Sequence, residues 1–407
     1  MNRMYEYDVI IIGGSVAGLS AASFLNAKNI KTAVVEKNLQ ANGICTTAIN
    51  PRSLDYMKRM GVINHIKDYD TYFKINGVKT YGYDGVSCKG FYNHDRSYLN
   101  YGHCLPREVV NNAFFEMVKE LEYVNYMAPF LIQEVTHESD GEQVSVYGKY
   151  KKENITLRAK LIIDAMGRGS FIARDKQLFS YDSNHKRYAL FCMFEKVSLT
   201  EPMFHIGTNA VVGPGYYTVF PVKDDKVMVA IFLTEEVASP QSYLDSFIKS
   251  SSFALSPYFR QAVQASELTS VGPIAFRNKQ YTLEKTLMIG DSTGFFDPLT
   301  GEGLTQAFIT AELASETVIN YLKQGNWDRY AESYERRIAE YKTYSVGHAS
   351  KLQQLLKYPN AYNRFIVSMA KNQKAADWQT CAVGNIFSQQ ERTSNELWEI
   401  LVGRKKK

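Results

Sequence analysis

The chain is 407 residues long, 45% hydrophobic and 22% charged, with a formal net charge of +5. That is ordinary globular composition and too much chain for one small core, so disordered, collagen-like and coiled-coil classes are excluded and two domains or one elaborated α/β unit are expected. The charge is unevenly spread, +6 in residues 331–407 against −1 before them. This leaves no general nucleic-acid footprint and confines the basic excess to the C-terminal end.

No long charge-free apolar run signals a membrane span, and Met1 to Asp8 carries acids where a secretory segment would be apolar. A cytoplasmic protein is expected. The terminal Arg404-Lys405-Lys406-Lys407 leaves peripheral contact with an anionic membrane open. The five cysteines, Cys45, Cys88, Cys104, Cys192 and Cys381, form no CxxC pair, which predicts free thiols and no structural metal.

In chain order, Asp8 to Ile12 is an apolar β-branched run, expected to be a buried parallel strand. It breaks at Gly13-Gly14-Ser15-Val16-Ala17-Gly18 into a helical stretch, Leu19 to Ala27, and Lys31 to Glu36 is the next strand. Helices follow at Arg52 to Met60, opened by Pro51, and after Pro106, where Val110, Phe114, Met117 and Leu121 share a face. Residues 131–164 alternate as a β-meander with Asp140-Gly141 as a turn, ending in the buried strand Leu161-Ile162-Ile163. Residues 185–275 are mostly strand-like around a helix at Gln241 to Lys249. Thr286 to Ile289 is another buried strand, a helix runs from Glu302 to Lys323, and the remainder is helical.

The first chemistry lies in the glycine turn. A pyrophosphate needs backbone N–H groups at a helix N-terminus with no side chains in the way. Gly13 and Gly18 meet that need, with Ser15 in place of a central glycine and Val16 and Ala17 opening the helix. Glu36 stands 23 residues after Gly13, where a carboxylate accepts from ribose hydroxyls; Lys37 follows it. Such an acid disfavours a 2′-phosphate, so FAD or NAD is expected here.

Thr286-Leu287-Met288-Ile289-Gly290-Asp291 through Asp297-Pro298-Leu299-Thr300-Gly301-Glu302-Gly303-Leu304 resembles the second flavin fingerprint of the superfamily of FAD-dependent monooxygenases, geranylgeranyl reductases and flavin halogenases. The resemblance implies FAD. It gives Gly290 and Asp291 to the ribityl chain and the backbone of Gly301, Gly303 and Leu304 to the isoalloxazine, with the positive end of the helix that follows facing the ring edge that becomes negative on reduction. It also places Arg107 against FAD, sets Asn42 to Thr47 beside the ring, and makes Asp164 to Ser170 the middle motif, with Met166 at a usually polar position. Cys45 and Thr46 are thereby cofactor-loop residues. Cys45 is the one weak catalytic candidate, and packing is the reading preferred for it.

Departures refine the resemblance. Aromatic hydroxylases usually carry Ala-His where this chain has Thr293-Gly294. The Asp297 to Gly303 string is closer to prenyl reductases and halogenases. The reductases' Y-x-W-x-F-P survives as Tyr216, Phe220 and Pro221 with Thr218 for the tryptophan, and Ala230-Ile231-Phe232 replaces a later glycine pair. The halogenase W-x-W-x-I-P segment is absent, since the only tryptophans are Trp327, Trp378 and Trp398, and Lys79 reads as a solvated strand residue. The histidines are scattered; His103, beside Cys104, is the one near the expected cofactor.

The expectation is an α/β fold: a glutathione-reductase-type FAD-binding domain (1–67, 104–179, 279–330), an inserted mainly antiparallel β substrate domain (68–103, 180–278) and a helical C-terminal region (331–407). The expected activity is an FAD-dependent oxidoreductase reduced by NAD(P)H, most simply a monooxygenase acting on an apolar or aromatic small molecule held among the 28 Tyr and 22 Phe. The alternative is reduction of C=C bonds in a prenyl lipid, and the remote one a non-catalytic prenyl-binding escort on the same fold. Oligomeric state is left open.

Overall fold

A parallel sheet in the order Thr286–Met288, Leu161–Asp164, Val9–Ile12, Thr32–Val35, Val124–Met127 forms the base of the molecule, with Thr282–Leu283 antiparallel at one edge. The structure is a computed structural model that describes residues 3–39, 46–138, 142–393 and 395. Four of these strands are buried along their whole length, which is why they read as continuous apolar runs instead of alternating ones. Helices Val16–Asn26, Arg107–Lys119 and Gly303–Gln324 cover one face. The meander Phe130–His137, Val144–Tyr150, Glu153–Ala159 covers the other.

Register fixes where a ligand can sit. Ile12 lies opposite both Val35 and Asp164, and Asp164 lies opposite Met288. Four strands therefore end level, and Gly13, Glu36, Ala165 and Ile289 leave the sheet together at its carboxyl edge, where open α/β sheets bind ligands.

A second, larger sheet runs Val263–Gln264, Tyr188–Glu195, Lys226–Leu233, Tyr216–Lys223, Met203–Gly207, Gly77–Tyr81, Ser87–Phe91, all antiparallel except the Met203–Gly207 and Gly77–Tyr81 pair. Thr269–Val271 also pairs with Tyr188–Glu195. Helix Pro240–Lys249 with Phe253 and Phe259 fills one face, and the C-terminal helices fill the other. Lys226–Leu233 is thus buried from both sides, giving its run of seven apolar residues.

Helix Trp327–Leu356 joins the two halves. At 30 residues it spans about 45 Å. Trp327, Tyr334, Ile338 and Tyr341 pack into the core of the parallel-sheet half, and Leu352, Leu355 and Leu356 pack under the second sheet. It runs unbroken through residue 331.

The exposed strand Arg3–Glu6, parallel to Glu153–Ala159, has no counterpart in the sequence reading. The first helix begins at Val16, three residues before the expected Leu19, because Ser15 already has the extended backbone of an N-cap. Among the described residues, no helix is long and apolar enough to cross a membrane.

Candidate functional site

The glycine turn is dictated by clearance. Gly13 has φ +114°, and a Cβ there would stand 2.5 Å from the Ala165 carbonyl oxygen; one on Gly18 would stand 1.9 Å from that of Gly13. Both distances are below any real carbon contact, so only glycine lets the first helix start this close to the sheet. Ser15 makes no side-chain cap, which leaves the first N–H groups of helix Val16–Asn26 without a side-chain partner. Glu36, buried at the end of its strand, accepts from the Gly14 N–H at 2.8 Å and the Asn38 N–H at 3.0 Å. Val16 and Ala17 are core residues, and Lys37 is exposed.

The second half of the site folds against the first. Gly290 has φ +57°, and a Cβ there would come within 2.7 Å of Ala17 Cβ, so the two fingerprints touch where both residues are small. A polar clamp holds this turn. The Gly290 N–H donates to Thr310 Oγ1 at 2.7 Å, and its carbonyl accepts from Gln306 Nε2 at 2.9 Å. Gln306 also donates to the Gly294 carbonyl at 3.0 Å, and Lys342 Nζ donates to that same carbonyl at 2.5 Å and to Gln306 Oε1 at 2.7 Å.

Asp291 projects from this turn. Its side chain is open to solvent although protein surrounds it, and burial pushes its carboxyl up against the pull of Lys342, Arg107 and Arg168. Three cations thus face one acid, a surplus that suits a dianionic pyrophosphate. Arg107, in the first turn of its helix, is half-buried. Burial pulls the Lys342 amine down to about 8, with Asp291 and Glu302 opposing.

The middle motif packs behind Asp291. Asp164 is fully buried and accepts from the Met166 N–H (2.9 Å), Ser292 Oγ (2.9 Å) and Ser170 Oγ (2.5 Å). Residue 166 serves that network through its backbone, so a methionine fits without loss.

The segment from Asp297 to Gly303 is held from the far side. Asp297 accepts from the Leu299 N–H at 2.8 Å, Tyr216 Oη at 2.6 Å and Arg187 Nε at 2.9 Å, and also from Gln353 Nε2. Gly301 takes the left-handed conformation, φ +62°. The Glu302 carboxylate turns away from its own helix to Arg392, Ser345 and Tyr341. Burial works to raise that carboxyl, but Arg392 and Ser345 hold it below the ordinary glutamate range. The amides of Gly303 and Leu304 therefore open helix Gly303–Gln324 uncapped by any side chain, while the Leu304 side chain packs in the core.

Cys45 and the residues before it in its loop lie outside the described residues. Thr46 opens strand Thr46–Ile49 opposite Pro106, which brings that loop's end beside Arg107. His103 is a packing residue: it stacks on Tyr69 with ring centroids 4.4 Å apart, and burial lowers it to about 4. Lys79 Nζ pairs with Glu201 at 3.1 Å. The sequence reading missed Lys342, Gln306, Thr310, Arg187 and Arg392.

Tyr216 and Leu299 line an inner cavity of about 50 Å³ with Ile206, Phe204, Leu352 and Tyr362. It lies between the second sheet and the C-terminal helices, on the back of the Asp297–Gly303 segment.

The family pattern described as FAD binding domain matches residues 6–340. The chain belongs to this FAD-binding family. The site fits the cofactor: two uncapped helix starts, glycines that no side chain could replace, an acceptor at Glu36 and a cationic surplus around Asp291.

Among its relatives, the 1H-pyrrole-2-carbonyl-[peptidyl-carrier protein] chlorinase of Pseudomonas fluorescens is 24% identical over 362 residues, covering 80% of this chain and 78% of that protein. The digeranylgeranylglycerophospholipid reductase of Methanococcus vannielii is 24% identical over 341 residues, 82% and 83% of the two chains. A flavoprotein/dehydrogenase from Cytophaga hutchinsonii superposes with a TM-score of 0.80 at 16% identity, over 98% of this chain and 100% of that one. The flavin-dependent brominase Bmp2 gives 0.78 at 17% identity, over 98% and 97%. The structural likenesses establish the fold, and the FAD-binding-domain match over residues 6–340 makes the chain a member of an FAD-dependent oxidoreductase family.

Proposed function

We propose that this chain is an NAD(P)H-driven flavin monooxygenase acting on an apolar or aromatic substrate. FAD, when bound, would accept hydride from the nicotinamide and activate dioxygen. The chain's own work is to bind FAD through the glycine turn, Glu36, Arg107 and the Asp291 turn, to hold the substrate, and to exclude water.

The observation that carries this reading is the inner cavity. Its wall is mostly apolar, broken by Thr80, Tyr216, Tyr362, Gln379 and Thr380; it reaches Leu299 on the back of the flavin-loop residues, and among the described residues no carboxylate, histidine or amine lines it. A mostly apolar wall without a carboxylic acid or imidazole keeps bulk water from a reactive oxygen species and suits oxygen insertion. Lys79 stands on the opposite face of its strand from Val78 and Thr80, which line the cavity, and is paired with Glu201. That arrangement argues against halogenation.

A second reading, reduction of C=C bonds in a prenyl chain, draws on the retained Tyr216, whose hydroxyl locks Asp297. Turnover under ¹⁸O₂ with NADH or NADPH and a panel of apolar aromatic and polyprenyl compounds separates the two. Product gaining one ¹⁸O supports oxygenation. Product gaining two hydrogens, equally well without oxygen, overturns it in favour of reduction.

A further inference from the structure

Beyond the inner cavity the C-terminal helices line an outer one of about 450 Å³ that opens to the surface, and the two share Leu352, Phe365 and Gln379 as a partition. Leu355, Tyr358 and Trp378 make most of the outer wall apolar. One end is polar, and packing among the described residues leaves that end unsatisfied. Arg392 and His348 both line it, the Arg392 side chain 1% exposed and His348 6% exposed. Arg392 donates through Nη1 to Glu302, yet its Nε–H has no hydrogen-bond partner among the described residues, and neither has His348 Nε2, although the His348 ring also meets the Arg392 backbone carbonyl.

Two buried nitrogens at one cavity end with unmade bonds are unusual, because native structures satisfy such groups from the protein, from water or from a ligand. The charge is incomplete as well. Glu302 balances Arg392, whereas Lys351, exposed at the rim, faces no carboxylate among the described lining residues. Among the described residues the polar end therefore lacks an acceptor for its buried nitrogens and carries the net positive charge of Lys351 at its rim.

We propose that this outer cavity is the head-group subsite of the substrate and takes the carboxylate of an otherwise apolar molecule. The carboxylate would accept from Arg392 Nε–H and from the neutral His348 in its Nε2–H tautomer, with Lys351 at the rim, while the apolar body passes Leu352 and Phe365 towards Leu299. A single charge matches the deficit; a phosphate monoester would bring a second charge with nothing to meet it. The same guanidinium that receives the head group also holds Glu302, which sits between Gly301 and Gly303, so a seated carboxylate sets the register of the substrate against the flavin loop. This inference rests on the reading of the site as one for an apolar substrate.

The test is equilibrium binding to the full-length, FAD-loaded protein, followed by tryptophan fluorescence because Trp378 stands in the wall. Dodecanoate, dodecan-1-ol and dodecyl phosphate are the probes. Dodecanoate is expected to bind at least tenfold more tightly than the alcohol. Arg392→Lys keeps a cation opposite Glu302 but lacks the Nε–H, and it should erase most of that preference while leaving alcohol affinity within twofold. His348→Gln and His348→Leu should weaken dodecanoate severalfold, and Lys351→Gln should do so in a salt-sensitive way. FAD content and melting temperature report folding of each variant.

Equal affinity for acid and alcohol, or a preference retained in well-folded Arg392→Lys and His348→Gln, overturns the proposal. So does tighter binding of dodecyl phosphate than of dodecanoate. A chain ending at residue 395 that gains tenfold in dodecanoate affinity would assign the cavity to the protein's own C-terminal segment, and that result also overturns it. None of these measurements needs turnover, so a negative ¹⁸O₂ result beside an intact acid preference would sink the monooxygenase reading alone.

Discussion

Asp291 concentrates the site's electrostatics in one side chain, exposed in a crowd of protein with Lys342, Arg107 and Arg168 about it. A charge-assisted hydrogen bond from a ribityl hydroxyl is worth about 1.5–3 kcal/mol, so Asp291→Ala should weaken FAD roughly 10- to 150-fold in a fluorescence titration. Glu36→Ala should act similarly through the adenosine ribose, and unchanged affinity in both would show that FAD lies elsewhere. Lys342 supplies a pH signature. Its amine is pulled to about 8 by burial, and the negative charge of bound FAD favours its protonated form. Above that pH, FAD binding must take up a proton, so affinity should fall as pH rises beyond 8, and Lys342→Met should flatten the profile between pH 7 and 9. The places of Gly13, Gly18 and Glu36 could be read from sequence because backbone clearance and strand register force their spacing, whereas Asp291 was reached only through the resemblance of its motif. Lys342 could not, since nothing marks one lysine in a 30-residue helix as the partner of a carbonyl 48 positions earlier.

At the scale of elements, the Asp297–Gly303 segment is positioned mainly by residues of the second-sheet half and the long helix. Tyr216 and Arg187, both buried, reach Asp297 from the second sheet and the chain just before it, and Gln353 reaches it from the long helix. Tyr216 was legible as part of the prenyl reductases' Y-x-W-x-F-P segment, and in this chain its hydroxyl bonds to Asp297. Tyr216→Phe removes that bond and leaves the carboxylate three donors. The expected cost is about 1.5–3 kcal/mol in urea denaturation, with FAD still bound. A variant as stable as the parent would mean that the bond contributes nothing and that the tyrosine serves the substrate. Elements buried on both faces, such as Val9–Ile12 and Lys226–Leu233, announced themselves by apolar runs. Arg3–Glu6 did not, because a strand exposed at every residue leaves no pattern of burial to read.

For the whole molecule, the question is whether two sheets with separate cores behave as two bodies. The resemblance read in the sequence implies a cofactor half assembled from discontinuous segments. It gave no sign that helix Trp327–Leu356 would tie that half to the other, because a long amphipathic stretch looks the same whichever core it covers. The helix places Tyr334 and Ile338 in one core and Leu356 in the other, and the Asp297 network binds the same two halves side by side. Pulling them apart would break the buried Arg187–Asp297 pair, 4% and 0% exposed, and would leave an unpaired charge in the interior. Unfolding should therefore be a single cooperative transition by calorimetry. FAD at about 100 times its dissociation constant adds roughly 2.7 kcal/mol, and this should move the entire transition upward, with far-UV dichroism and tryptophan fluorescence shifting together. Two transitions, only one of them responding to FAD, would show that the long helix and the Asp297 network do not couple the halves. Asp297→Asn offers the converse check: it keeps an acceptor for Tyr216 and the Leu299 N–H but unbalances Arg187. If the coupling runs through this charge pair, the variant should split the single transition in two, with FAD raising only the one that belongs to the parallel-sheet half.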